Sequence, residues 1–138
     1  MKKTARLAIA GVAVAALASL GVGTAAYAHH AFAAEFDSEA PVLLKGTVTK
    51  VEWMNPHVRF SMDAKDERGQ VTAWELTMGS ATGLMRRGWQ RNLLKVGDTV
   101  TVNGFGARDG SHLANARVLT LSDGREMYTG APPDSPAK

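Results

Sequence analysis

VTAWELTMGSATGLMRRGWQRNLLKVGDTVTVNG, residues 71–104, holds two strand patterns separated by one helix pattern, and that succession decides how the rest of the chain is read. In residues 71–78, Val71, Ala73, Glu75 and Thr77 fall on one face and Thr72, Trp74, Leu76 and Met78 on the other. A strand alternates its side chains between faces, so the heavier set, Trp74, Leu76 and Met78, is expected inside. Gly79-Ser80 ends that strand. Ser80 or Thr82 can cap a short helix reaching to about Trp89, with Leu84, Met85 and Trp89 at helical spacing and Arg86, Arg87 and Arg91 along its exposed side. Trp89 is expected to pack that helix onto the core. Lys95-Val96-Gly97-Asp98 then turns the chain into residues 99–105, where Val100 and Val102 oppose Thr99, Thr101 and Asn103.

Upstream, residues 42–53 (VLLKGTVTKVEW) are rich in β-branched side chains, with Gly46 suited to a bend or bulge, and read as a long curved first strand. Asn55-Pro56 breaks it. Residues 57–63 resume with Val58, Phe60 and Met62 alternating against His57, Arg59 and Ser61, and residues 66–69 (DERG) turn that strand into the next. Downstream, Asp109-Gly110 is a hairpin signal before a fifth strand over residues 114–121. Asp123-Gly124 allows one more turn and a short strand over 126–129. Three strands, a helix, then two or three strands is the order of the five-stranded Greek-key barrel of the OB-fold, whose helix lies between strands three and four. The expected class is all-β with one short helix, β-β-β-α-β-β with a possible extra C-terminal strand. Another small β-barrel or roll is the rival.

The N-terminus reads differently. Lys2, Lys3 and Arg6 precede an uncharged run over residues 7–22, and Ala26-Tyr27-Ala28 supplies the small-x-small pattern of a cleavage site. This is the form of a secretory signal peptide over residues 1–28. No Cys follows the run, which closes the lipoprotein route, and general secretion to the periplasm or the medium is expected. The expected organisation is then an arm over 29–41, a barrel over 42–129 and a disordered tail over 130–138, with no transmembrane segment after processing. Removing the leader changes the charge argument: the full chain has 16 Lys and Arg against 13 Asp and Glu, and its first 28 residues hold three of the cations and no anion. Thirteen of each remain, so overall charge supports neither nucleic acid nor an anionic membrane as partner. The absence of Cys excludes disulfides, thiolate metal sites and a cysteine nucleophile.

Cleavage after Ala28 makes His29 the first residue, with His30 behind it. An N-terminal His offers its amine and a ring nitrogen to one ion, and imidazole suits copper and zinc. If the arm folds back, His57 can complete a copper site with Met54 as a soft ligand; cleavage after Ala33 would remove both N-terminal histidines. The alternative is a solvated His-His pair and a His57 bonded to a loop carbonyl.

The string His29-His30-Ala31-Phe32-Ala33-Ala34-Glu35-Phe36-Asp37, followed by Leu44-Lys45-Gly46-Thr47-Val48, Trp53-Met54-Asn55-Pro56-His57, Arg86-Arg87-Gly88-Trp89, Gly97-Asp98 and Asp109-Gly110, resembles a family of small exported bacterial proteins classed as a domain of unknown function. The resemblance spans the mature chain and implies its compartment and boundaries rather than an activity. Trp53, Met54, His57, Trp74 and Met78 are also similar in type to the residues with which OB-barrel copper chaperones of the periplasm hold copper(I), although their spacing departs from that pattern and no ligand is carried over.

Arg86 and Arg87, with Arg91 and Lys95, form the one concentrated basic patch, a candidate contact for an anionic protein, glycan or lipid, or a solvated helix face. Nucleic acid is not expected in an exported chain. There is no Gly-x-Ser-x-Gly, His-Glu-x-x-His, phosphate loop or dinucleotide fingerprint, and His112, after Asp109-Gly110-Ser111, is expected exposed in a turn. The functional expectation is an exported β-barrel binding module for a small ligand or periplasmic protein rather than an enzyme. Its alternatives are a copper-binding protein using His29, His30 and His57, and an accessory subunit of a periplasmic oxidoreductase.

Overall fold

The computed structural model describes residues 32–130. The expected signal peptide over residues 1–28, His29, His30 and the expected disordered tail beyond Gly130 lie outside the described residues. Within them the chain runs β1 (Phe36–Glu52), β2 (Arg59–Lys65), β3 (Val71–Thr77), α1 (Ala81–Arg86), β4 (Thr99–Ala107), β5 (Leu113–Thr120) and β6 (Glu126–Tyr128).

The strand of 17 residues, β1, organises the sheet because it serves two neighbours. Its first part runs antiparallel to β4, with Val42 opposite Gly104 and Leu44 opposite Val102; its last part runs antiparallel to β2, with Val48 opposite Met62 and Val51 opposite Phe60. Gly46 belongs to both ladders, facing Ala64 on one side and Val100 on the other. A Cβ at Gly46 would overlap the Asp63 carbonyl, so the bend expected there depends on a residue with no side chain. The register against β2 then slips between Val48 and Lys50, a bulge that adds curvature.

β2 and β3 form the expected hairpin, closed by Asp66, whose carboxylate accepts from the amides of Arg68 and Gln70 while Gly69 takes φ +80°. The ring closes where β3 lies parallel to β5, Leu76 beside Ala114. The circuit β1-β2-β3-β5-β4-β1 is the expected OB-like Greek-key barrel, with β6 added beside the later part of β5 as the extra strand.

The core follows from the alternation. Val48, Phe60, Met62, Leu76, Val100, Val102 and Leu119 are all but inaccessible, and Met78, Leu84, Trp89 and Leu94 cover them from the connection between β3 and β4. Two boundaries depart furthest from expectation. β1 starts at Phe36, not Val42: Asp37, Glu39 and Pro41 resemble a loop, but this stretch pairs only with β4 and irregularly, so it can stay polar. The helix stops at Arg86 rather than near Trp89, because Gly88 at φ +88° donates to Met85 and Trp89 donates back to Leu84, a Schellman ending. Ser80 is the N-cap, its hydroxyl accepting from Gly83 at 3.0 Å.

Candidate functional site

Three surfaces carry side chains with chemical content. At the end of the barrel where β3 begins, a cleft of about 260 Å³ is lined by Leu44, Ala64, Thr72, Trp74 and His112, with Lys45 and Lys65 among its polar borders. Trp74 occupies an inward position at the middle of β3, where the inward residues are not yet sealed: Thr72 and Trp74 are half-buried, and full burial begins at Leu76. His112 reaches it from the β4–β5 turn, the two rings 5.1 Å between centroids and tilted by 45°. Parallel pairing creates this neighbourhood, since the backbone of Glu75 donates to the His112 carbonyl at 2.9 Å and places the loop against β3. His112 is exposed, as expected of a turn residue, but its ring has a partner that no local pattern announces.

The second surface surrounds the turn between β1 and β2. Glu52, Met54, Pro56, His57 and Arg59 line a shallow cleft of about 180 Å³. His57 lies in this turn rather than on β2, and Met54 is 46% exposed. The Nδ1 edge of His57 lies 3.2 Å from the Met78 carbonyl oxygen. A carbonyl only accepts, so the contact requires hydrogen on Nδ1; in the neutral ring it leaves the Nε2 lone pair free. Met54 and His57 are thus brought to one cleft. Met78 is not a neighbouring thioether donor but a core side chain, 1% exposed, and Trp74 belongs to the first cleft. Among the described residues no three His, Asp or Glu side chains gather as a metal cluster.

The third surface is the segment from α1 to β4. Arg86, Arg87, Arg91 and Lys95 are exposed, while Trp89 between them is 2% exposed and donates its Nε1–H to the Tyr128 carbonyl at 2.9 Å. The indole therefore packs the segment onto the barrel as expected and is not a stacking platform. Arg87 reaches the Gly83 carbonyl at 3.4 Å.

Electrostatic shifts occur in two turns, at carboxylates that line neither cleft. Hydrogen bonds from Ser111, hydroxyl first and amide second, hold the Asp109 carboxyl below its ordinary range. The Arg125 amide and then its guanidinium do the same for Asp123.

A family described as a family of unknown function, DUF6152, matches residues 15–116, and the chain belongs to it. No curated protein and no solved structure matches the chain.

Proposed function

We propose that this member of the DUF6152 family is an exported binding module that seats a small, ring-bearing ligand in the cleft at the open end of its barrel. The observation that carries the reading is the half-buried Trp74 ring held beside His112 above an apolar floor of Leu44 and Ala64. A tryptophan buries about 150–250 Å², so leaving up to roughly a third of that surface wet forgoes on the order of 1–2 kcal/mol at about 25 cal/mol per Å². A ligand laid against the indole recovers that term. Lys45 and Lys65 at the border outnumber Asp66, whose carboxylate already accepts from the Arg68 and Gln70 amides, and favour an acidic substituent on the ligand. Export rests on the charged, apolar and small-x-small succession over residues 1–28.

The test uses 1-anilinonaphthalene-8-sulfonate, a fused ring bearing an anion, followed by NMR of the three indole N–H groups. The expected result is enhanced probe emission and a shift of the Trp74 indole signal, with Trp89, tied to Tyr128, unmoved. Trp74→Ala should abolish the emission while the circular dichroism stays that of the wild type. Shifts confined to residues 52–59 would overturn the assignment. The intact mass of protein recovered from the exported fraction tests the leader; a chain that retains residues 1–28 would refute cleavage.

A second reading, copper binding, has its own support in the Met54–His57 cleft, where an imidazole nitrogen free to coordinate stands with an exposed thioether. Cleavage at Ala28 would add the amine and rings of His29 and His30. Titration of the processed chain with copper(I) against a competing chelator checks it. One tight equivalent in the wild type, lost in both His57→Ala and Met54→Leu, is expected; equal affinity in the variants would exclude the site.

A further inference from the structure

We infer that the outer face of the segment joining β3 to β4 is a docking surface for an anionic phospholipid bilayer. The segment is held from inside by a spaced set of buried side chains, Ala81, Leu84, Trp89 and Leu94. Everything between those anchors that carries charge points away from the core: Arg86, Arg87, Arg91 and Lys95 are all exposed. Two large apolar side chains are exposed among them, Met85 at 53% and Val96 at 65%. Exposed cations interleaved along one segment with exposed apolar groups supply what a protein needs to lie on a lipid surface, charges at the headgroups and apolar groups at the acyl boundary.

Charge segregation strengthens the case. Residues 32–130 contain 12 Lys and Arg and 12 Asp and Glu, yet residues 79–97 hold four of the cations and none of the anions. The remaining described residues are therefore acidic on balance, and the neutral whole is electrically lopsided. Elsewhere four cations meet carboxylates: Lys50–Glu52 at 2.9 Å, Arg59–Glu75 at 3.3 Å, Arg108–Asp37 at 3.8 Å and Arg125–Asp123 at 2.7 Å. Among the described residues no carboxylate lies within ion-pair distance of Arg86, Arg87, Arg91 or Lys95. Asp98, just past the segment, accepts from the Lys95 amide at 2.8 Å and lines a cleft with Lys95 and Asp123, so the acid-free part of the face is the one that carries Arg86, Arg87 and Arg91. A nucleic-acid surface would offer rings for stacking, and the aromatic ring within this segment is turned inward. An acidic protein would satisfy the cations but leaves Met85 and Val96 without a role.

Each Lys or Arg near an anionic leaflet strengthens binding about fivefold, so removal of two should weaken it roughly 25-fold. The experiment compares sedimentation of the protein with phosphatidylcholine vesicles and with vesicles that also contain phosphatidylglycerol. Wild type and variants are used in the same processed form, so that residues outside the barrel contribute equally. Binding only to the phosphatidylglycerol vesicles is expected, weakened by salt, about 25-fold weaker in Arg86→Gln/Arg87→Gln, and weaker in Met85→Ser/Val96→Ser. These side chains are exposed, so unchanged circular dichroism and melting are expected of both variants. No binding, equal binding to both vesicle types, or binding that survives Arg86→Gln/Arg87→Gln would overturn the inference. Binding to soluble heparin as tight as to vesicles and indifferent to Met85→Ser/Val96→Ser would also overturn it, in favour of an acidic macromolecule.

Discussion

Gly46 shows what a single residue decides in this barrel. It sits where β1 passes from one neighbour to the other, and the carbonyl of Asp63 occupies the space a Cβ would need. The obstacle is backbone in a paired strand, which cannot rotate away as a side-chain tip can. Gly46→Ala should therefore cost about 3 kcal/mol, the upper part of the range for overpacking, and lower the urea midpoint with little change in slope. The sequence announces Gly46 as a bend because a glycine stands alone in a β-branched run. Thr129 sends no such signal: it is wholly buried, and its hydroxyl donates to the Ala116 carbonyl, yet the chain reads there as Tyr-Thr-Gly beside a tail. Thr129→Val keeps the shape and deprives that carbonyl of its donor, and equilibrium unfolding should register a loss of about 1–3 kcal/mol. His112 belongs with Thr129, since its contact with Trp74 joins residues far apart in the chain.

The elements were readable in proportion to how far local chemistry determines them. β2 and β4 bury alternate residues along most of their lengths, which is the pattern their sequences carry, whereas β3 alternates exposed and half-buried residues until Leu76 and Thr77 are buried side by side, Thr77 against the outward position its sequence implies. The N-terminal third of β1 was hidden because a strand paired along one side needs no apolar alternation; its acids, Asp37 and Glu39, are tolerated at the margin, where Arg108 also meets Asp37. The helix was overestimated because Leu84 and Trp89 have helical spacing only if Gly88 is ignored, whereas its positive φ bends the chain and still delivers Trp89 inward. Turns offer a test with a definite sign. The Asp109 carboxyl is held below its ordinary range by Ser111, so the β4–β5 turn gains stability from it at and above the ordinary carboxylate range. That contribution disappears as pH falls through the lowered value. Urea unfolding of wild type and Asp109→Asn should differ at neutral pH and converge in strong acid; a gap that widens in acid would contradict the assignment.

For the molecule as a whole, the closing contacts are remote in sequence. β1 pairs with β4, and β3 meets β5 across the helix and β4. A topology of this kind pays loop-closure entropy before its contacts form, so refolding from urea should take milliseconds to seconds rather than microseconds. Stopped-flow tryptophan fluorescence would measure it, with Trp89 reporting the docking of the segment after the helix. The fold class was legible because strand order alone selects few barrels; the clefts were not, because they lie where ring closure juxtaposes β3 with the β4–β5 turn and where the β1–β2 turn meets the end of β3.

The same closure bears on how the chain is made. The parallel seam needs residues 113–115 beside residues 75–77, so no fragment that ends earlier contains the closed ring, and the extra strand adds residues 126–128 to it. During synthesis the nascent polypeptide can form the β2–β3 hairpin but cannot seal its core until nearly all of it has left the ribosome. Until then Phe60, Met62 and Leu76 are open to chaperones, and a chain in that state can still be threaded through a narrow pore.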